Sequence, residues 1–268
     1  MDLRPLLATA LDAARAATAI HRAHLGRVEV EDWSEKGVAD FVSYVDHEAE
    51  SAVIARIRDT YADHQFLAEE AAAAPDAALP AADADWLWVI DPLDGTTNYL
   101  HGYPQYAASV AVSHRGELLA GAVVSGATGQ EWSAVRGGGA FHDGTRIHVS
   151  AVLRLELALI GTGFPFKTLH QMPKYLDQFD RITRRTAGIR RAGSAALDLC
   201  YVASGFFDGF WELYLAPWDV AAGALILREA GGLITRTDGS ADVVGHGPIV
   251  AGNPYIHPAL REMVQDQG

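Results

Sequence analysis

One cysteine, Cys200, stands in 268 residues, which excludes an intrachain disulfide and any multi-cysteine zinc site. A lone thiol fits a reducing compartment, and its place in an apolar helical stretch reads as a small core residue. Long apolar runs are missing too. The stretch from Leu6 to Ile20 is broken by Asp12 and Arg15, and nothing approaches the roughly 18–20 residues that span a bilayer. Asp2 in the first residues argues against a signal peptide, so a soluble, cytoplasmic protein is expected. Positive charge is in deficit: Lys plus Arg number 21 against 34 Asp plus Glu, a formal net charge of −13. Nucleic-acid backbones call for clustered cations, so nucleic acid is not an expected partner. The short Arg181–Arg191 cluster reads as a solvated helix face and a strand edge. An excess of acid suits a site that gathers carboxylates around cations.

What is present is a globular composition, 49% hydrophobic, long enough to bury a core without staples. Residues 3–24 put Leu7, Leu11, Ala14, Thr18 and His21 on one helical stripe. His21 and His24 read as surface groups there. A second helix is predicted from Asp46 to Tyr61, with Ala49, Val53, Ile57 and Tyr61 aligned. A turn at Lys36-Gly37 and an extended segment 41–45 lie between the two. Residues 71–85, rich in Ala, Pro and Asp, read as an exposed loop. The continuous apolar run 86–90 predicts a buried strand. Segments 106–113, 118–124 and 130–135 follow as an antiparallel meander. Gly137–Gly139 reads as a hairpin or bulge, because no lysine-serine pair or helix start follows it. Beyond Ser150, strands at 157–160, 189–191, 206–213, 233–235 and 249–251 alternate with helices at 172–184, 194–204, 219–230 and 258–265. The pattern is an α+β half (1–150) followed by an α/β half (151–268).

The segment Asp91-Pro92-Leu93-Asp94-Gly95-Thr96-Thr97-Asn98 carries the chemistry. It follows the buried strand, and a tight turn lets Asp91 and Asp94 converge. Pro92 stiffens the turn, and Gly95 lets backbone approach a ligand. The amides of Gly95, Thr96 and Thr97 form an anion-attracting opening. Oxygen ligands of this kind suit Mg²⁺ rather than Zn²⁺. Taken singly, such acids are helix caps or solvated turns. Here Glu69-Glu70, Asp46 and Asp219 also sit at element ends, which points to one acidic cluster.

With Trp218-Asp219-Val220-Ala221-Ala222-Gly223, this segment resembles the paired signature of the inositol monophosphatase family. Lys36–Asp46, Glu69-Glu70, Gly161–Phe166 and Arg190–Leu199 match further family segments, the last two especially those of bacterial inositol-1-monophosphatases. The resemblance covers nearly the whole chain. Pro217, before Trp-Asp, departs from the cysteine of animal members.

The resemblance implies a layered α-β-α-β-α sandwich shared with the sugar bisphosphatases, and two or three Mg²⁺ per site. Glu69, Asp91 and the Leu93 carbonyl would hold the first cation. Asp91, Asp94 and Asp219 would hold the second, and Glu70 would stand beside a weaker third. Asp46 would assist the metal cluster through water, Glu69 and Thr96 would orient the attacking water, and water near Asp219 would protonate the leaving alkoxide. The Gly95 and Thr96 amides would bind phosphate. Gly193, Ser194, Ala195, Glu212 and Lys36 would meet the alcohol part of the substrate. His101, just after the motif, is a candidate for the rim. The implied activity is hydrolysis of myo-inositol 1-phosphate and related polyol or sugar phosphates by metal-activated water. Alternatives are fructose 1,6-bisphosphate, histidinol phosphate or 3′-phosphoadenosine nucleotide as substrate, or a regulatory binding protein keeping the fold. A homodimer and Li⁺ sensitivity are also implied. Phe164, Phe166, Tyr201 and Trp211 are candidates for core or interface.

Overall fold

The structure is a computed structural model that describes residues 1–37, 40–74 and 77–265, without the side chains of residues 35–37, 40 and 41. Helix α1 (Arg4–His24) opens with Pro at its first turn, where a missing N–H costs nothing. A hairpin of β1 (Ser34–Gly37) and β2 (Asp40–Val42) leads into α2 (Tyr44–Arg58). Ser43 caps α2, and Asp46 completes a reciprocal capping box. Next come β3 (Gln65–Ala68), the short α3 (Glu69–Ala72), β4 (Leu87–Asp94) and the short α4 (Thr96–Leu100). The meander follows as β5 (Ala107–His114), β6 (Glu117–Ser125), β7 (Glu131–Val135), β8 (Gly139–His142) and β9 (Thr145–Ile147). Strands β3 to β9 form one seven-stranded sheet in sequence order, antiparallel except for the β3–β4 pair.

The chain then builds a second sheet from β10 (Leu159–Thr162), β11 (Gly188–Arg190), β12 (Gly209–Leu215), β13 (Leu233–Thr235) and β14 (Gly247–Gly252). Its order is β11-β10-β12-β14-β13, parallel around β10 and antiparallel around β14. The helices between these strands are α5 (Met172–Thr183), α6 (Ala195–Ala203) and α7 (Pro217–Glu229); α8 (Ile256–Val264) closes the chain.

These elements stack as α-β-α-β-α. Helices α1 and α2 cover one face of the first sheet, and Ala10, Ala13, Ala14 and Ala17 give α1 a close approach. Helices α6 and α7 fill the space between the sheets in the largest apolar cluster. Gly121 sets one spacing there, since a Cβ would stand 3.1 Å from Ala222 Cα. Helices α5 and α8 cover the outer face of the second sheet, against Trp211, Leu213 and Val250. β4 is therefore buried on both faces, which is why it reads as an unbroken apolar run.

Several expectations change. His21 is not a surface group: it is fully buried and its Nε2 donates to the Pro92 carbonyl at 2.9 Å. Trp211 is core. The strand expected to end at residue 90 continues to Asp94. The strand expected at 157–160 begins only at Leu159, and Leu157 is exposed in a 3-10 turn. The strand expected from Phe206 begins at Gly209, because Asp208 is spent on the Leu159 N–H and the Ser150 hydroxyl. β12 also runs on to Leu215, which puts Glu212 within the strand. Cys200 is buried in α6, as expected. Among the described residues no helix is long and apolar enough to cross a membrane.

Candidate functional site

In a regular strand, residues three apart point to opposite faces. Asp91 and Asp94 escape this because β4 carries a bulge. Asp91 pairs with Ser109 and Asp94 with Ala107, so three residues advance against two. The Leu93 N–H donates to Asp91 Oδ1 at 3.0 Å and holds the turn. Gly95 follows with φ +92°, and a Cβ there would lie 2.7 Å from the Gln105 carbonyl. Only glycine fits. Asn98 then ties the turn to the second half, its amide donating to the carbonyls of Gln105, Ala192 and Gly193.

Three carboxylates converge. Asp91, Asp94 and Asp219 each present an oxygen within 4.8 Å of the others. Asp91 is held by its own turn, Asp94 by groups distant in sequence and Asp219 by a helix start. Asp94 Oδ2 accepts from the Ser194 hydroxyl at 2.5 Å and from the Ala196 N–H at 2.8 Å. Asp219 Oδ2 accepts the Ala216 N–H at 2.7 Å, at the Pro217-led opening of α7. Ser194 lines the cavity, but its hydroxyl is given to Asp94 and its side chain is buried.

Thr96 Oγ1 lies 2.9 Å from Asp46 Oδ1 and 3.0 Å from the Leu93 carbonyl, with a single proton to give. Asp46 Oδ2 is fixed by the Ser43 N–H and hydroxyl, both at 2.8 Å. Asp46 does not line the cavity, so it reaches the site through Thr96. Glu69 lies at the cavity wall with Lys167 Nζ at 3.9 Å. Glu70 is buried behind it, 4.0 Å from His47 Nδ1 and off the cavity wall. Glu50, which the sequence did not suggest, accepts the N–H groups of Glu70 and Ala71 at 2.7 and 2.9 Å and so anchors the acidic pair. The Lys36 side chain lies outside the described residues. His101 is exposed, packs against Trp33 and does not line the cavity.

The cavity, about 720 Å³, is lined by the acidic cluster. Gly95, Thr96, Gly193, Ala195, Glu212, Asp198, Arg191, Lys167, His246, Phe164 and Phe166 also contribute to it. Lys167 and His246 were not singled out from sequence, Asp198 carried no role there, and Arg191, read there as part of a solvated strand edge, also lines the cavity. Lys167 follows the segment 161–166 and Arg191 lies within the segment 190–199; both stay exposed while lining the cavity. The Arg191 guanidinium lies 5.3 Å from the centres of both the Phe164 and Phe166 rings.

The electrostatics describe a site short of positive charge. Burial, then the charges of Glu69, Asp94 and Asp219, push the Asp91 carboxyl well above its usual range. Burial raises Asp94 to about 6, against the hydrogen bonds from Ser194 and Ala196 that lower it. Asp219 is raised to about 7 by burial and then by Glu69 and Asp94. Glu212 is raised to about 8 by burial and then by Asp219. Crowded buried carboxylates relax either by taking protons or by taking a cation. With the Leu93 carbonyl beside them, the donors are all oxygen, the set preferred by hard divalent cations.

A family model described as the inositol monophosphatase family matches residues 2–268. The chain is 43% identical to the Pseudomonas aeruginosa protein named Nus factor SuhB, over 98% of this chain and 97% of that one. It is 44% identical to the inositol-1-monophosphatase of Rhizobium meliloti, over 90% of this chain and 88% of that one. Among solved structures, the extragenic suppressor protein suhB of Bartonella henselae superposes with a TM-score of 0.91 at 37% identity, covering 98% of this chain and 100% of that one. The inositol monophosphatase of Anabaena (Nostoc) gives 0.86 at 34% identity, covering 98% and 96%.

Proposed function

The chain belongs to the inositol monophosphatase family, and we propose that it is a Mg²⁺-dependent phosphomonoesterase of myo-inositol 1-phosphate and related polyol or sugar phosphates. The convergence of Asp91, Asp94 and Asp219 on one cavity carries this reading. Glu69, Asp91, the Leu93 carbonyl, Asp94 and Asp219 would hold two Mg²⁺, with Glu70 beside a third. Bound there, the cations would supply charge neutralisation for the phosphate and a water acidic enough to attack it.

The protein's own groups do the rest. Thr96 Oγ1 gives its proton to Asp46 Oδ1, which leaves its lone pairs to accept from the attacking water. Glu69 sits where it can hold the same water in line with phosphorus. The Gly95 and Thr96 amides bind phosphate oxygens. The attacking water sheds one proton to solvent and its oxygen forms the new P–O bond as the P–O bond to the alcohol breaks; water near Asp219 returns one proton to the departing alkoxide. Gly193 and Ala195 shape the wall against the alcohol, and Glu212 accepts its hydroxyls.

The test is a panel of phosphate esters, including fructose 1,6-bisphosphate, histidinol phosphate and 3′-phosphoadenosine nucleotide, with Mg²⁺ and with chelator. Hydrolysis should require Mg²⁺, favour inositol 1-phosphate, and vanish in Asp91→Asn. Activity in chelator, or normal turnover by Asp91→Asn, would refute the assignment. A homodimer and Li⁺ inhibition belong to the same reading. Relatives named Nus factor favour a second reading, a regulatory binding role on the same fold. The complete carboxylate set favours catalysis.

A further inference from the structure

We propose that Asp198 is a substrate-recognition residue that, together with Glu212, accepts neighbouring hydroxyls of the polyol part of the substrate. The inference rests on the phosphatase reading above and adds a residue to it. Asp198 lies in the first turn of α6 and lines the catalytic cavity. It is 1% exposed, and its Oδ1 has no hydrogen-bond partner among the described residues. A buried oxygen without a partner is costly in a native protein and asks for an explanation.

The fold offers none. Ser194, not Asp198, caps α6. The convergent acidic cluster is Asp91, Asp94 and Asp219, and Asp198 is outside it. The charges that bear on Asp198 are Glu212, Asp94 and Arg191. Two of these repel it, and the guanidinium of the third lies over the Phe164 and Phe166 rings. The missing partner is therefore a donor that enters through the cavity.

Its chemistry follows from the surroundings. Burial first, then Glu212 and Asp94, push the Asp198 carboxyl well above its usual range, so the pocket is poorly suited to a further anion. A neutral hydroxyl adds no charge and can donate to Oδ1 or accept from a protonated carboxyl. Glu212 comes from β12 and Asp198 from α6, so the two carboxyls line the same cavity from different elements. Gly163 keeps the Glu212 carboxylate in place, since a Cβ there would stand 2.1 Å from it. Two carboxyl groups so placed suit adjacent hydroxyls, as a cyclitol or sugar phosphate presents and a simple aryl phosphate does not.

The experiment compares the intact protein with Asp198→Asn and Asp198→Ala on myo-inositol 1-phosphate and on an aryl phosphate, with melting temperatures alongside. Losing one hydrogen bond to a charged group corresponds to about tenfold or more. The ratio of kcat/KM between the two esters should fall by about tenfold in Asp198→Ala, with the loss mostly in KM. Asp198→Asn, which keeps the volume, should show the same direction with no fall in melting temperature. An unaltered substrate ratio in both variants would overturn the role of Asp198. So would equal loss on both esters accompanied by lower melting temperatures, the signature of a structural residue. A wild-type protein that cleaves the aryl ester but not the inositol ester would overturn the polyol reading itself, and this inference with it.

Discussion

Removing the divalent cation should make the protein's stability depend on pH in a definite direction. Asp94 is 9% exposed and titrates near 6 in the folded chain, against an ordinary 3.8. A carboxyl raised in this way favours folding only while it holds its proton. That contribution is complete below about pH 4 and is lost as pH rises through about 6. Asp219, near 7, and Glu212, near 8, extend the loss upward in the same sense. For Asp94 alone, ionisation without a cation costs about 3 kcal/mol. A cation reverses the penalty, but below these values it must first displace protons, so Mg²⁺ should stabilise more as pH rises from about 5 to 8. At a hundred times its dissociation constant the gain is about 2.7 kcal/mol. For a chain of this size that is about 5–10 °C in Tm. Thermal unfolding in chelator and in Mg²⁺, across that pH range, gives the difference directly. Groups remote from the cations cancel in it. A Mg²⁺ shift as large at pH 5 as at pH 8, or none at all, would refute the reasoning.

Gly163→Ala should act as a substitution of Glu212. Its Cβ would lie 2.1 Å from the Glu212 carboxylate and must push it aside. Like Glu212→Gln, it should lower kcat/KM for inositol 1-phosphate relative to an aryl phosphate by about 10- to 150-fold, the worth of a charged hydrogen bond. Retained selectivity in Gly163→Ala would refute this. Burial depresses His21 to about 4 from its ordinary 6.5. Below about pH 6.5 the unfolded chain takes up the proton first, so up to about 3 kcal/mol of stability is lost as pH falls toward 4. Urea unfolding at pH 4.5 and 7 should show this loss in the wild type and not in His21→Gln, which keeps a donor for Pro92. An identical loss in both would clear His21.

The acidic turn was legible because its parts are local. An Asp pair, a proline and a glycine within eight residues describe their own geometry. The hydrogen bonds from Ser194 to Asp94 and from Thr96 to Asp46 join residues 100 and 50 positions apart, and no spacing in the chain announces them. His21 shows the reverse. It belongs to the apolar stripe of α1 with Leu7, Leu11 and Ala14, and the stripe described its burial better than its polarity did. The carbonyl that makes burial tolerable, at Pro92, is 71 residues away. Strand starts failed for a similar reason. Phe206 and Phe207 look like a strand, but the tie from Asp208 to Leu159 decides where β12 begins. Lys167 and Arg191 are exposed, and no spacing in the chain says that they stand on the cavity wall.

The lacing of the acidic turn to the loop before α6 has a consequence for the order of events during synthesis. Asp91 and Asp94 leave the ribosome about a hundred residues before Ser194 and Ala196, which orient Asp94. Asp219 follows later still. Until those residues arrive, the nascent turn lacks the third carboxylate and the donors that fix the second. It has no reason to hold a divalent cation tightly. On the proposed function, cation capture would belong to the finished chain, and recovery of Mg²⁺ affinity during refolding should trail the formation of the first sheet and coincide with the docking of α6 and α7 against it.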